Sequence, residues 1–196
     1  MKQCLTLVLV CLAFFSHSQK PNHNFGFKYY GFTVHPKGED QAHLMPTRLD
    51  PNAYMVLNYG GIFSYQRMVF RDFISIKIAQ GLYTDSGKMP SGHTHIGFRV
   101  YLLDHQRHDV QFGFGPTYIY RKSWHSKEGY ESSGIFRDRG NIQDKFVWYG
   151  GEIEYNYLIN DHWDFSAHIL PGFPLVVGFG FGFRYWPNRI LNTDTN

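Results

Sequence analysis

The chain has 196 residues, a net charge of +3, 18% aromatic residues and two cysteines. That length suits one domain, and so slight a positive excess argues against a nucleic-acid partner. Cys4 and Cys11 both lie at the N-terminal end, so no disulfide framework staples the rest of the chain.

Met1-Lys2, the apolar stretch Leu5 to Phe15 and Ser16-His17-Ser18-Gln19 have the layout of a secretory signal: a basic start, a short apolar run, then small residues before a cleavage point. Cleavage is expected after Ser18, leaving a mature chain without cysteine. The apolar run is well short of the ~20 residues of a spanning helix. Val10, which precedes Cys11, is not the small residue of a lipidation site.

Eight strands are predicted in the remainder: Phe25–His35, Tyr54–Arg67, Phe73–Tyr83, His93–Leu103, Val110–Ser123, Lys145–Leu158, His162–Leu170 and Pro174–Trp186. Most alternate strictly. In the third, Ile74, Ile76, Ile78 and Leu82 oppose Ser75, Lys77, Ala79 and Gly81. In the fourth, Ile96, Phe98 and Val100 oppose His95, Gly97 and Arg99. In the fifth, Phe112 and Phe114 oppose Gln111, Gly113 and, further on, Arg121. In the sixth, Tyr149, Ile153 and Tyr155 oppose Gly150, Glu152 and Glu154. The last sets Phe179, Phe181 and Phe183 against Gly178, Gly180, Gly182 and Arg184. The first strand is ambiguous, because Phe27/Tyr29 and Tyr30/Phe32 compete for the same face.

A period of two over such lengths is a β signal. One face is large and apolar; the other is small, glycine-rich or charged. That is the pattern of a membrane barrel, apolar toward lipid and polar within. Long links (His35 to Asn52, Trp124 to Asp144) alternate with tight turns (Val69–Asp72, Asp104–Asp109, Ile159–Asp161), as in barrels with short periplasmic turns and long external loops. Tyr54, Tyr83, Trp124, Trp148, Trp163 and Trp186 near strand ends suit interfacial girdles.

These features, with the alternating aromatic ending Phe183-Arg184-Tyr185-Trp186, resemble the small eight-stranded outer-membrane barrels typified by the OmpA transmembrane domain and OmpX. No family-specific motif carries the resemblance, and a polar tail, residues 187–196, is present where that family usually ends. The resemblance implies an all-β, eight-stranded antiparallel transmembrane barrel over residues 19–186, in an outer membrane, with outer-membrane lipids and other outer-membrane proteins as partners.

The predicted interior holds Lys77, Arg99, Arg121 and Arg184 with Glu152, Glu154 and Asp164. A lumen just wide enough for side chains to fill then contains a charge network that plugs it. Asp164, Ser166 and His168 share the inner face, but Asp164 is ~13 Å along the strand from His168, too far to orient it. If Leu158 pairs with His162, Glu152 lies opposite His168 and Glu154 opposite Ser166. Glu152, His168 and Ser166 then become candidates for orienter, base and nucleophile of a lipid acyl hydrolase or acyltransferase. His93 and His95 share a face at a usable metal spacing, with no third ligand evident; no metal or cofactor is assigned. The sequence leaves three functions open: a structural or binding barrel acting through its loops or within a larger complex, the lipid-modifying enzyme, and a soluble exported lipocalin-like carrier. The last needs the aromatic faces inside.

Overall fold

The computed structural model describes residues 23–70, 73–172 and 176–187. The expected signal segment with both cysteines, and the tail from residue 188, lie outside the described residues. Among the described residues there are ten strands: β1 (His23–Val34), β2 (Met55–Leu57), β3 (Gly60–Phe70), β4 (Ile74–Thr84), β5 (Pro90–His105), β6 (His108–Lys122), β7 (Arg137–Arg139), β8 (Ile142–Leu158), β9 (Trp163–Gly172) and β10 (Val176–Tyr185). Eight of them run antiparallel in the order β1-β3-β4-β5-β6-β8-β9-β10, and β10 pairs back onto β1, from Phe25↔Tyr185 to Val34↔Val177. The sheet is therefore a closed eight-stranded barrel. The short β2 and β7 extend the loop-side ends of β1 and β8.

Strand number and order agree with the sequence reading. The predicted second strand is broken: Met55–Leu57 pairs with β1 as β2, and the barrel strand resumes at Gly60. The ambiguity of the first strand has a structural cause. A bulge between Tyr30 and Phe32 shifts the register against β10, and an extra residue moves the rest of the strand to the other face. Phe25, Phe27 and Tyr29 point out before the bulge; Tyr30 points in, and Phe32 again lies outside, stacked on Phe179. A second irregularity, between Gly115 and Thr117 opposite β8, leaves Trp148 and Tyr149 both outward, each 74% exposed. Pro116, which has no N–H to give a ladder, sits at this break.

The faces are the reverse of a water-soluble barrel. Phe27, Phe63, Phe98, Phe114, Phe181 and Phe183 stand outside, each about half exposed. Lys28, Lys77, Arg99, Gln111, Glu154 and Arg184 are buried inside. The lipocalin-like arrangement, with aromatics inside and charges out, is thereby corrected: these rings form a continuous apolar exterior of a size that soluble monomers rarely expose.

The glycines of β10 make room for neighbours. A Cβ at Gly178 would strike the Tyr30 ring, one at Gly180 the His168 imidazole, and one at Gly182 the β1 backbone at Phe27 and Lys28. The bare face of the last strand is thus covered by side chains and main chain from β1 and β9.

Candidate functional site

At mid-height the lumen is crossed by a charge cluster. Lys28 from β1 and Lys77 from β4 both reach Glu152 and Glu154 on β8. Lys77 Nζ is 3.0 Å from Glu152 Oε2, Lys28 Nζ is 3.4 Å from Glu152 Oε1, and both ammoniums donate to Glu154 Oε2. Arg99 from β5 donates to Glu152 Oε2 at 2.5 Å. Arg184 from β10 bridges Glu154 at 3.3 Å, Asp109 at 2.9 Å and Asp164 at 2.7 Å. Four cations (Lys28, Lys77, Arg99, Arg184) face four anions (Glu152, Glu154, Asp109, Asp164), so the formal charges cancel. Buried charge is tolerable only when paired and hydrogen-bonded in this way. Toward the turn end the network continues through Gln66, Ser75, Gln111 and Asn156, at 2.6–2.9 Å.

Of the residues expected in the ion network, Lys77, Arg99, Glu152, Glu154, Asp164 and Arg184 meet here. Arg121 does not. It lies at the loop end between the Trp124 and Phe136 rings, 4.4 and 4.2 Å from their centroids, with Asp85 at 4.0 Å. Two members were missed. Lys28 was hidden by the ambiguous phase of its strand, and Asp109 was read as part of a turn.

The β8–β9 register differs from the expected one by two residues. Leu158 pairs with Asp164, Glu154 with His168 and Asn156 with Ser166, because the turn is wider than three residues. A slip of two keeps every side chain on its face, and Glu152 still reaches His168 diagonally: Nδ1 lies 2.8 Å from Glu152 Oε1. The carboxylate can only accept, so Nδ1 carries the proton. His168 Nε2 and Ser166 Oγ are both buried without a hydrogen-bond partner. The structure brings Glu152 to His168 and leaves the Ser166 hydroxyl unbonded to either.

His93 and His95 point inward and are buried. His95 Nε2 accepts from Arg99 at 3.2 Å, so its Nδ1–H donates to Thr117 Oγ1 at 2.7 Å. His93 Nδ1 meets the Tyr83 hydroxyl at 3.1 Å. Among the described residues no group of three His, Cys, Asp or Glu is arranged to hold a metal ion.

Above the cluster lies a cavity of about 450 Å³. Tyr30, Ile62, Ala79, Ile119 and Leu170 form much of its wall, and His93, His95, Arg99, Glu152 and His168 supply polar groups. Beyond it the loops pack on one another. Ala42, Leu44, Met45, Ala53, Val56 and Trp124 make a small core, joined by Met89 and Tyr130. Trp124 Nε1 donates to Asp85 at 2.7 Å, Lys127 to the Leu44 carbonyl at 3.2 Å and Gln41 to the Glu131 carbonyl at 2.7 Å. Burial pushes the Asp85 carboxyl above its ordinary range, whereas the His35 ring, 3.7 Å away, holds Glu39 below it. Trp124→Ala removes the ring shared by three loops. It is expected to open residues 35–58 and 123–141 to limited proteolysis while the barrel strands stay protected.

No protein-family description matches the chain, and neither does any curated protein. Among solved structures it is similar to Ail, the attachment invasion locus protein of Yersinia pestis, crystallised with the heparin analogue sucrose octasulfate. The identity is 10% and the TM-score 0.48, over 85% of this chain and 97% of that one. It is also similar to the N-terminal β-barrel domain of Pseudomonas aeruginosa OprF, with 10% identity and a TM-score of 0.48, over 86% of this chain and 98% of that one.

Proposed function

We propose that the protein is a small outer-membrane barrel that binds rather than conducts. The observation that carries this is the lumen itself: Lys28, Lys77, Arg99 and Arg184 reach from four strands onto Glu152, Glu154, Asp109 and Asp164, leaving a cup above the cluster in place of a channel. The apolar exterior supports insertion in a bilayer, where the alternating pattern is stable. The interlocked loops offer a rigid binding surface on a rigid scaffold, the usual place for recognition.

The test is reconstitution into planar bilayers. Folded barrel is expected to give no stepwise ion current; regular conducting steps from the wild-type chain would overturn the reading. Fractionation should find the protein in the detergent-requiring outer-membrane fraction; extraction into aqueous buffer contradicts it.

One observation favours a second reading, an acyl hydrolase or acyltransferase. The Glu152–His168 pair is formed and His168 Nε2 is unpartnered, which is two-thirds of an activated-serine arrangement. Ser166→Ala and His168→Ala are expected to leave the lipid acyl pattern of the outer membrane unchanged if the barrel only binds. An altered pattern in both variants replaces the binding reading with the enzymatic one.

A further inference from the structure

At the loop end of the barrel, β6, β8 and β7 form a ribbon with charges on its outward face. Lys122, Ile142 and Arg139 share one register row; Tyr120, Asp144 and Arg137 share the next. Side chains two apart on a strand point the same way. Both rows therefore lie on the face that carries Phe146 and Trp148, which are exposed and meet edge to face at 4.8 Å. That face is continuous with the apolar exterior of the barrel.

The height of the charges follows from the strand. From Tyr157 to Phe146, β8 advances eleven residues. At ~3.3 Å per residue and a tilt of ~40°, this is ~28 Å of height, close to the ~25 Å apolar band of an outer-membrane barrel. Phe146 then marks the upper boundary of the band. Asp144, Arg137, Arg139 and Lys122 stand just above it, at the level of lipid headgroups.

Asp144 holds the two arginines in place, and its own side chain is 1% exposed. Its Oδ1 accepts from Arg137 Nε and Nη2 at 2.9 and 2.8 Å; its Oδ2 accepts from Arg139 Nε at 2.9 Å and from the Tyr118 hydroxyl at 3.1 Å. Four donors fill a carboxylate. Each guanidinium keeps further N–H groups, and the two side chains are 60% and 57% exposed. Lys122 adds a third exposed cation. Asp138 turns to the opposite face, where Gln143 donates to it at 2.7 Å and His125 lies 3.1 Å away. One arginine would neutralise Asp144; the other and Lys122 are a surplus of two positive charges. A phosphate monoester carries about two negative charges, and guanidinium forks bind its oxygens bidentately. A zwitterionic headgroup offsets its phosphate with its own ammonium and leaves the surplus unmet.

We propose that Arg137, Arg139 and Lys122 form a binding site for the phosphate monoester headgroup of a membrane lipid, whose chains run down past Phe146 and Trp148. This rests on the barrel being membrane-inserted, and the test separates the two. The folded protein carrying Trp163→Phe is placed in vesicles of phosphatidylcholine and phosphatidic acid. One lipid or the other is brominated near the carboxyl end of its chains, and quenching of tryptophan emission is read. Trp124 and Trp186 are buried, at 4% and 3% exposure, so the emission that lipid quenches is that of Trp148.

Brominated phosphatidic acid is expected to quench as though enriched beside Trp148 over phosphatidylcholine, by roughly fivefold for each surplus cation. Lys122→Gln/Arg139→Gln leaves Arg137 on Asp144 and should abolish the preference. Lys122→Gln/Arg137→Gln leaves Arg139 there and should do the same, which keeps the test open if one variant fails to fold. Lys37→Gln, exposed in the first long loop, should retain it. Equal quenching by the two lipids overturns the phosphate site, and retention of such vesicles on dextran sulfate then assigns the patch to a soluble polyanion. A preference that survives in both double variants also overturns it. Absence of quenching by either lipid overturns membrane insertion itself.

Discussion

Glu152→Ala is expected to cost the folded barrel about 3–5 kcal/mol, the usual penalty for removing one partner of a buried ion pair. Glu152 accepts from Lys77, Arg99, Lys28 and His168, so its loss leaves four cations facing three anions in a buried cluster. The readout is reversible urea unfolding in lipid vesicles, tracked by the gel-mobility difference between folded and unfolded barrel. Glu152→Gln keeps the shape and a hydrogen-bonding group and should cost less. The double variant Glu152→Gln/Lys77→Met removes one charge of each sign and should recover much of the loss, since replacing a whole buried pair is often nearly neutral. If Glu152→Ala unfolds within about 1 kcal/mol of wild type, the cluster is not what fills and holds the lumen.

Phe114→Arg tests the other face. Phe114 lies near the middle of β6, opposite Phe98 and Gly151, and is 47% exposed. On a water-soluble barrel such a change would be close to neutral or would improve solubility. At the midplane of a bilayer an outward arginine costs about 2–4 kcal/mol. The expected result is slower folding into vesicles and a lower urea midpoint. The same substitution at exposed Tyr54, in the loop before β2, should have little effect. Equal behaviour of the two variants would remove the lipid-facing assignment of the aromatic exterior.

Much of the architecture was legible in the residues. Alternation around Lys77 in β4, Arg99 in β5, Glu152 and Glu154 in β8 and Arg184 in β10 places all five inside. The loop lengths separated the two ends of the barrel. The failures were local: one bulge at Tyr30 split the phase of β1 and hid Lys28, and a strand extending through Arg121 into the loops carried that residue beyond the lumen to Trp124 and Asp85.

The candidate site was less legible than the fold. Which face a side chain occupies depends on the pleat of its own strand, a local property with a period of two. The sequence therefore determined by itself the eight strands, the polar interior and the residue types within it. Which of those residues touch depends on strand register, on bulges and on closure of β10 against β1, and each relates segments far apart in the chain. A two-residue slip between β8 and β9 left every face unchanged yet set Glu154, rather than Glu152, across from His168. The parting of those same strands above Ile153 and Ile169 leaves no trace in the alternation. Only the tertiary structure decided that the interior divides into a charge cluster and a cavity, because pairing partners, unlike faces, are chosen by the whole cylinder at once.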